Sequence, residues 1–222
     1  MNTIIRPAIG LFVSMTLLTG IVYPFAVTGL AQLLFPTQAA GGLVTAGGQP
    51  IGSRLIGQSF SDPRYFWSRP SATSPQPYNA LASGGSNAGP LNPALADAIK
   101  VRLATLKAAD PANTLPVPVD LVTASASGLD PEISIAAAIY QATRVARARG
   151  LEPAEVQALI NEHATGRLLG FLGEPRVNVL ELNMALDTLT TQKPMVLPAR
   201  SAAIRTGSLR PRGELRDAHG DD

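Results

Sequence analysis

The run Gly84-Gly85-Ser86-Asn87-Ala88 is the stretch that comes nearest to a catalytic signature. It nearly copies the G-x-S-x-G nucleophile elbow, with Ala88 in place of the last Gly. An elbow lifts a Ser hydroxyl out of a sharp turn between a strand and a helix, where a His can take its proton. Here Gly89-Pro90 follow at once, and the nearest helix signal begins at Asn92. The nearest His in the chain is His163, on a helix that packing already explains. The leading reading is a tight loop in which Ser83, Ser86 and Asn87 bond backbone amides and Gly84-Gly85 permit the turn. A hydrolase built on Ser86 and His163 stays open as the alternative. No G-x-x-x-x-G-K-[ST] phosphate loop and no D-K-T-G aspartyl-phosphate motif occurs anywhere.

A second polar constellation runs from Asp120 to Ser134, with hydroxyls at Thr123, Ser125 and Ser127 leading into Asp130-Pro131. A helix N-terminus with free amides binds anions. Asp130 and Glu132 already stand at that positive end, so capping is the simpler account. A third cluster, Phe60 to Ala72, holds the only Trp beside Arg64 and Arg69. Aromatic and Arg side chains together suit a docking surface. Phe60 and Phe66 read better as core, while Trp67, Arg64 and Arg69 remain the docking candidates.

Composition removes several other chemistries. With no Cys there is no disulfide frame, thiolate metal site or Cys nucleophile. Two His exclude a multi-histidine metal centre, so no metal ligands are assigned. A net charge of +2, from 18 basic and 16 acidic side chains, speaks against a nucleic-acid partner. Charged residues make up 15% of the chain, against about 25% in ordinary soluble domains. Part of the chain therefore does not face water.

The elements that must position these residues start with an apolar segment. From Pro7 to Gly52 there is no charged residue and no His, and residues 8–30 are almost wholly apolar. About 20 such residues cross a bilayer core. A cleaved signal peptide has a shorter apolar region of about 7–15 residues, so length favours a retained anchor. Arg6 precedes the span and the next basic residue is Arg54. The positive-inside rule then puts residues 1–7 in the cytoplasm and the bulk of the chain outside. Gly10 and Ser14 lie four apart, as do Thr16, Gly20 and Pro24, a spacing that lets a partner helix approach through Gly10, Ser14 and Gly20. Pro24 frees the carbonyl of residue 20.

Residues 31–50, rich in Gly and Pro, read as a flexible exit. Residues 31–190 form one α+β domain: short strands first, helices after. Residues 54–60 and Tyr65-Phe66-Trp67 read as extended around an Asp62-Pro63 turn. Asn92-Pro93 opens a helix with Leu95, Ile99, Leu103 and Leu106 on one face. Val117–Val122 reads as a strand. Asp130 caps a helix that ends at Gly150, with Arg144, Arg147 and Arg149 in its last turns. A helix follows Pro153 and another follows Asn178. Residues 191–222 read as a flexible tail.

Taken together these segments are collinear with one family. The chain resembles the C subunit of the bacterial Kdp potassium-transporting ATPase. The resemblance rests on the single N-terminal span, Gly52-Ser53 through Gln58-Ser59-Phe60, Tyr65-Phe66 with Arg69-Pro70-Ser71-Ala72, and Tyr78. It continues through Ser83-Gly84-Gly85-Ser86-Asn87, Asp120-Leu121-Val122-Thr123-Ala124-Ser125, Ser127 to Pro131, and the Gln141–Arg149 helix. It covers about residues 1–190. Ala126 stands where the family pattern has Gly, and Glu132 where His is common. The tail is longer than the family needs.

The resemblance implies a non-catalytic subunit at the bacterial inner membrane. Its partners would be a channel-like potassium-binding subunit, a P-type ATPase subunit and a small one-helix subunit. It also implies a catalytic chaperone that raises the pump's ATP affinity, with ATP entering only through the ternary complex and no cofactor held tightly. An external domain cannot touch cytoplasmic ATP, so that effect is expected to travel as conformational coupling. Direct contact would fall to Ser86, Asn87 and Gln141, with the domain in the cytoplasm. An unrelated single-span binding protein would share the anchor alone.

Overall fold

The computed structural model describes residues 2–190. The tail expected over 191–222 lies outside the described residues. The apolar segment is one continuous helix, longer than the expected span at both ends: α1 (Asn2–Leu17), a π-helical turn (Leu18–Val22) and α2 (Tyr23–Leu34). Of residues 1–7, expected as a separate N-terminus, the described ones, 2–7, are part of α1. The π turn answers the Pro24 problem. Pro24 has no N–H and its ring crowds the carbonyl of residue 20. The helix widens just before it, with the Tyr23 amide donating to Leu18 O. Thr16 and Thr19 add hydroxyl bonds to the carbonyls of Phe12 and Met15, at 2.8 and 2.7 Å.

The stretch after the apolar helix is not a flexible exit. After α3 (Pro36–Ala39), β1 (Leu43–Ala46) and β2 (Gln49–Ser53) form an antiparallel hairpin. Gly47 and Gly48 both take positive φ, +56° and +78°, as a two-residue hairpin turn of matching twist requires. The glycines that look like slack in the sequence are the turn itself. Ser53 Oγ donates to Gly41 O, and Asn178 Nδ2 to Arg54 O, tying the hairpin to the domain.

Asn92 caps α4 (Pro93–Ala109) as expected, its side chain accepting from the Ala94 amide at 3.0 Å. The segments expected as extended at 54–60 and 65–67 form no strand: residues 54 and 55 lie in a turn, Ile56 makes an isolated bridge to Ser53, and Tyr65 sits in a bend; Val117–Val122 is no strand either. Its centre is a 3-10 turn, Val119–Leu121. Pro116 and Pro118 lack amide donors, so the segment cannot join a ladder. The main sheet comes from residues read as helix or loop: β3 (Glu132–Ser134), β4 (Ala164–Thr165) and β5 (Arg176–Asn178), antiparallel in the order β3-β5-β4.

Placing β3 there moves the helix start. α5 (Ile135–Arg149) is capped by Ser134, whose hydroxyl accepts from the Ala137 amide at 3.0 Å, and not by Asp130. It ends at Gly150, with φ +66°. α6 (Pro153–Glu162) opens with a Glu152/Glu155 capping box. α7 (Val179–Thr190) is preceded by Asn178, which accepts from the Glu181 amide. The core lies where α5, α6 and α7 meet the sheet, around Val145, Val156, Val177 and Leu182, all fully buried.

Candidate functional site

Two polar groupings could carry function. The first surrounds Tyr65-Phe66-Trp67. This segment has no strand neighbour, yet its amides and carbonyls cannot be left dry. Two buried carboxamides take the neighbour's place. Asn183 Oδ1 accepts from the Phe66 amide at 2.8 Å and its Nδ2 donates to Phe66 O at 3.0 Å. Gln141 does the same for Trp67, at 2.8 and 3.1 Å.

Two arginines of α5 complete the bracket. Arg144 donates to Pro63 O, Tyr65 O and Gln141 Oε1, and stacks 4.3 Å over the Trp67 ring. Burial pushes its pKa down to about 10, so it is still a cation at neutral pH. Arg149 donates to Arg64 O and Asp187, and lies 4.6 Å from the Tyr65 ring centre. Arg144 and Arg149, expected simply in the last turns of this helix, are both buried, and both hold another segment. Trp67 is half-buried inside this bracket. Arg64 is engaged by Asp62, and Arg69 by Asp130. Trp67 and Arg69 are half-buried and engaged within the domain, while Arg64 stays exposed beside Asp62.

The second grouping joins the two polar segments. Gly84 N and Ser83 Oγ both donate to Ser127 O, at 2.9 and 3.0 Å. A Cβ at Gly85 would lie 2.8 Å from Ala126 O. Close approach explains this glycine, which does not have a positive φ. Gly128 has φ +67°, and a Cβ there would meet Thr73 at 2.5 Å and Gly84 O at 2.7 Å. Ser71 Oγ donates to Gly128 O and accepts from the Tyr78 amide. Tyr78 donates its hydroxyl to Arg69 O, and burial drives that hydroxyl's pKa up to about 12.

Asp130 accepts from the Glu132 amide and from Arg69, at 3.0 and 2.8 Å. Asp120 accepts from both the amide and the hydroxyl of Ser134, at 2.8 and 3.2 Å, and so orients the cap of α5. These carboxylates border an open groove of about 470 Å³.

Ser86 and Asn87 are exposed at the tip of their loop. Asn87 has φ +50°, and Ser86 Oγ accepts only a long 3.5 Å contact from the Ala88 amide. Gln141 is 1% exposed and bonded through both polar atoms. His163 ends α6, its Nδ1 3.1 Å from Leu159 O. No hydrogen bond among the described residues joins Ser86 to His163. Gly10, Ser14 and Gly20 lie on the long helix, where every described side chain from Thr3 to Leu30 is exposed. A Cβ at Gly10 or Gly20 would meet nothing within 4 Å.

Sequence reading missed Asn183 and Asp187, which lie in an apolar helix with only their polarity as a signal. It also missed the exposed apolar loop 168–172.

Fold and site define a class: a small mixed α+β domain on one long, uncovered apolar helix, with its polar residues used to hold loops. The particular family follows from comparison. The chain belongs to the KdpC family, described as "K+-transporting ATPase, c chain", whose profile matches residues 5–188. The Potassium-transporting ATPase KdpC subunit of Variovorax paradoxus (strain S110) is 67% identical over 187 residues, which is 84% of this chain and 97% of that protein. The protein of the same name from Methylibium petroleiphilum is also 67% identical, over 84% of this chain and 98% of its own length. That of Dechloromonas aromatica (strain RCB) is 63% identical over 190 residues, 86% of this chain and all of its own length.

Proposed function

We propose that this chain is a membrane-anchored accessory subunit of an ATP-driven potassium uptake complex. It crosses the bacterial inner membrane once, N-terminus in the cytoplasm, with the α+β domain outside. Its partners are a channel-like potassium-binding subunit, a P-type ATPase subunit and a small one-helix subunit. It acts as a catalytic chaperone, raising the ATPase subunit's affinity for ATP through coupling across the assembly. The observation that carries this reading is the 32-residue apolar helix Thr3–Leu34, wholly uncovered, on a chain of the KdpC family. A helix with no apolar neighbour needs lipid or other helices around it.

Topology and coupling are tested separately. The absence of Cys makes single-cysteine labelling clean. On intact cells, a membrane-impermeant maleimide should label Asn87→Cys and spare Thr3→Cys; the reverse pattern would overturn the orientation. Coupling free energies between sites are commonly equivalent to about 5–150-fold in affinity. The KM for ATP of the assembled pump should rise within that range when this subunit is left out. An unchanged KM would remove the chaperone role. Replacing Gly20 by Leu should reduce co-purification if the helix packs against a partner through Gly10, Ser14 and Gly20. Saturable ATP binding by the pure chain, abolished in Asn87→Ala, would establish direct nucleotide contact instead.

A further inference from the structure

The groove beside β3 carries more acid than the domain itself balances. Asp120, Asp130, Glu132 and Glu174 line it together with Arg69 and Arg176, four carboxylates against two guanidinium groups. Arg69 is taken by Asp130, and Arg176 by Glu132. Glu174 has the exposed pair with Arg167, of a kind that contributes little and opens easily. Asp120 accepts from the amide and hydroxyl of Ser134 and forms no ion pair among the described residues. Between these carboxylates the lining is apolar, through Pro118, Pro175 and Val119, the last 70% exposed. Such a groove fits an arginine-rich segment with an apolar side chain among its cations.

The chain carries one. Residues 191–213 contain Lys193, Arg200, Arg205, Arg210 and Arg212 and no acidic residue, with Leu209 between the last three arginines. The stretch lies past residue 188, where the family profile stops. Its attachment point is close to the groove. Arg176, on the groove wall, is three residues before Val179, a distance of at most about 10 Å. α7 has 12 residues and so rises about 18 Å to Thr190. Thr190 is therefore within about 28 Å of Arg176. Fifteen residues separate Thr190 from Arg205, and a chain of that length spans up to about 50 Å. Attachment to the same chain also gives an effective concentration in the millimolar range, so a contact too weak to hold two separate molecules is still occupied within one.

We propose that the acidic groove beside β3 is the docking site for this chain's own basic stretch, Arg205–Arg212, whose arginines meet Asp120 and Glu174 while Leu209 covers Val119. The proposal concerns this chain alone and goes beyond the accessory-subunit reading, so neither depends on the other.

The test uses the full chain in detergent. The absence of Cys lets Val119→Cys report on the groove, and N-ethylmaleimide, being uncharged, is not itself steered by the arginines. Labelling should be about threefold slower or more in the full chain than in the same variant ending at residue 190. The difference should vanish in 1 M salt, where the screening length is about 3 Å. It should vanish equally when Arg205, Arg210 and Arg212 are all replaced by Gln. Melting followed by Trp67 emission should be the same in each variant, which keeps the comparison one of access and not of folding. Equal labelling rates with and without residues 191–222 would overturn the proposal. Slow labelling that persists in the triple Gln variant would also overturn it, because charge would not be the cause. Slow labelling that requires phosphatidylglycerol in the micelles would assign the arginines to a lipid surface and overturn it as well.

Discussion

Asn183 is the side chain whose loss should reveal how the domain holds its longest irregular segment. It is 0% exposed, and its carboxamide satisfies both backbone groups of Phe66, itself 0% exposed. In Asn183→Ala a buried N–H and a buried C=O lose their partners together. Each orphaned group costs about 1–3 kcal/mol. Water entering the vacated space would recover part of that cost, so about 3 kcal/mol of lost stability is expected. For a chain of this size each kcal/mol moves the midpoint by about 2–4 °C, so melting should fall by roughly 6–12 °C. The sole Trp, Trp67, adjoins Phe66, and its emission during heating of the full chain in detergent reads this very segment. A midpoint within about 2 °C of the unmodified protein would show that apolar packing alone pins the segment. It would refute the bracket.

Ser134→Ala should cost about 1 kcal/mol as a lost N-cap. Combined with Asp120→Asn, the two losses should fall short of additivity by about 0.5 kcal/mol or more in denaturant titration, because Asp120 acts through Ser134. Gly150→Ala should cost about 1–2 kcal/mol for positive φ alone, since a Cβ there meets nothing within 4 Å. Gly128→Ala adds steric overlap and should exceed it by about 1 kcal/mol or more; equal midpoints would contradict that close approach. Tyr78 holds its proton more tightly folded than unfolded, so its contribution is complete below pH 10 and is lost as pH rises toward 12. Tyr78→Phe should lower stability at neutral pH by about 1 kcal/mol, for the lost hydrogen bond to Arg69 O. The gap between the two alkaline melting curves should then narrow across that window.

Local features were legible in the residues because local physics produces them. The apolar span needs only length and the absence of charge. Asn92-Pro93, Pro153 and Asn178 mark helix starts because caps act within four residues. Gly150 marks an end because only its own φ is at stake. The collinear set of segments carried the family. Gly84-Gly85 marked a tight turn, since paired glycines have little use except at a turn or a close approach; that Gly85 closes onto Ala126 is seen only in the packed chain.

What the residues left undecided is long-range. Glu132-Ile133-Ser134 has no strand pattern of its own and becomes β3 only because Arg176-Val177-Asn178 arrives beside it. That arrival moves the α5 cap from Asp130 to Ser134, and Asp130 turns to Arg69 instead. Tyr65-Phe66-Trp67 joins no strand, and side chains up to 117 positions away bond its backbone in place of a strand neighbour. A buried amide looks the same in the sequence as an exposed one, so nothing in an isolated helix pattern assigns Asn183 or Gln141 to that work. Hydrogen bonds between segments depend on which surfaces the core brings together, and only the packed chain decides that.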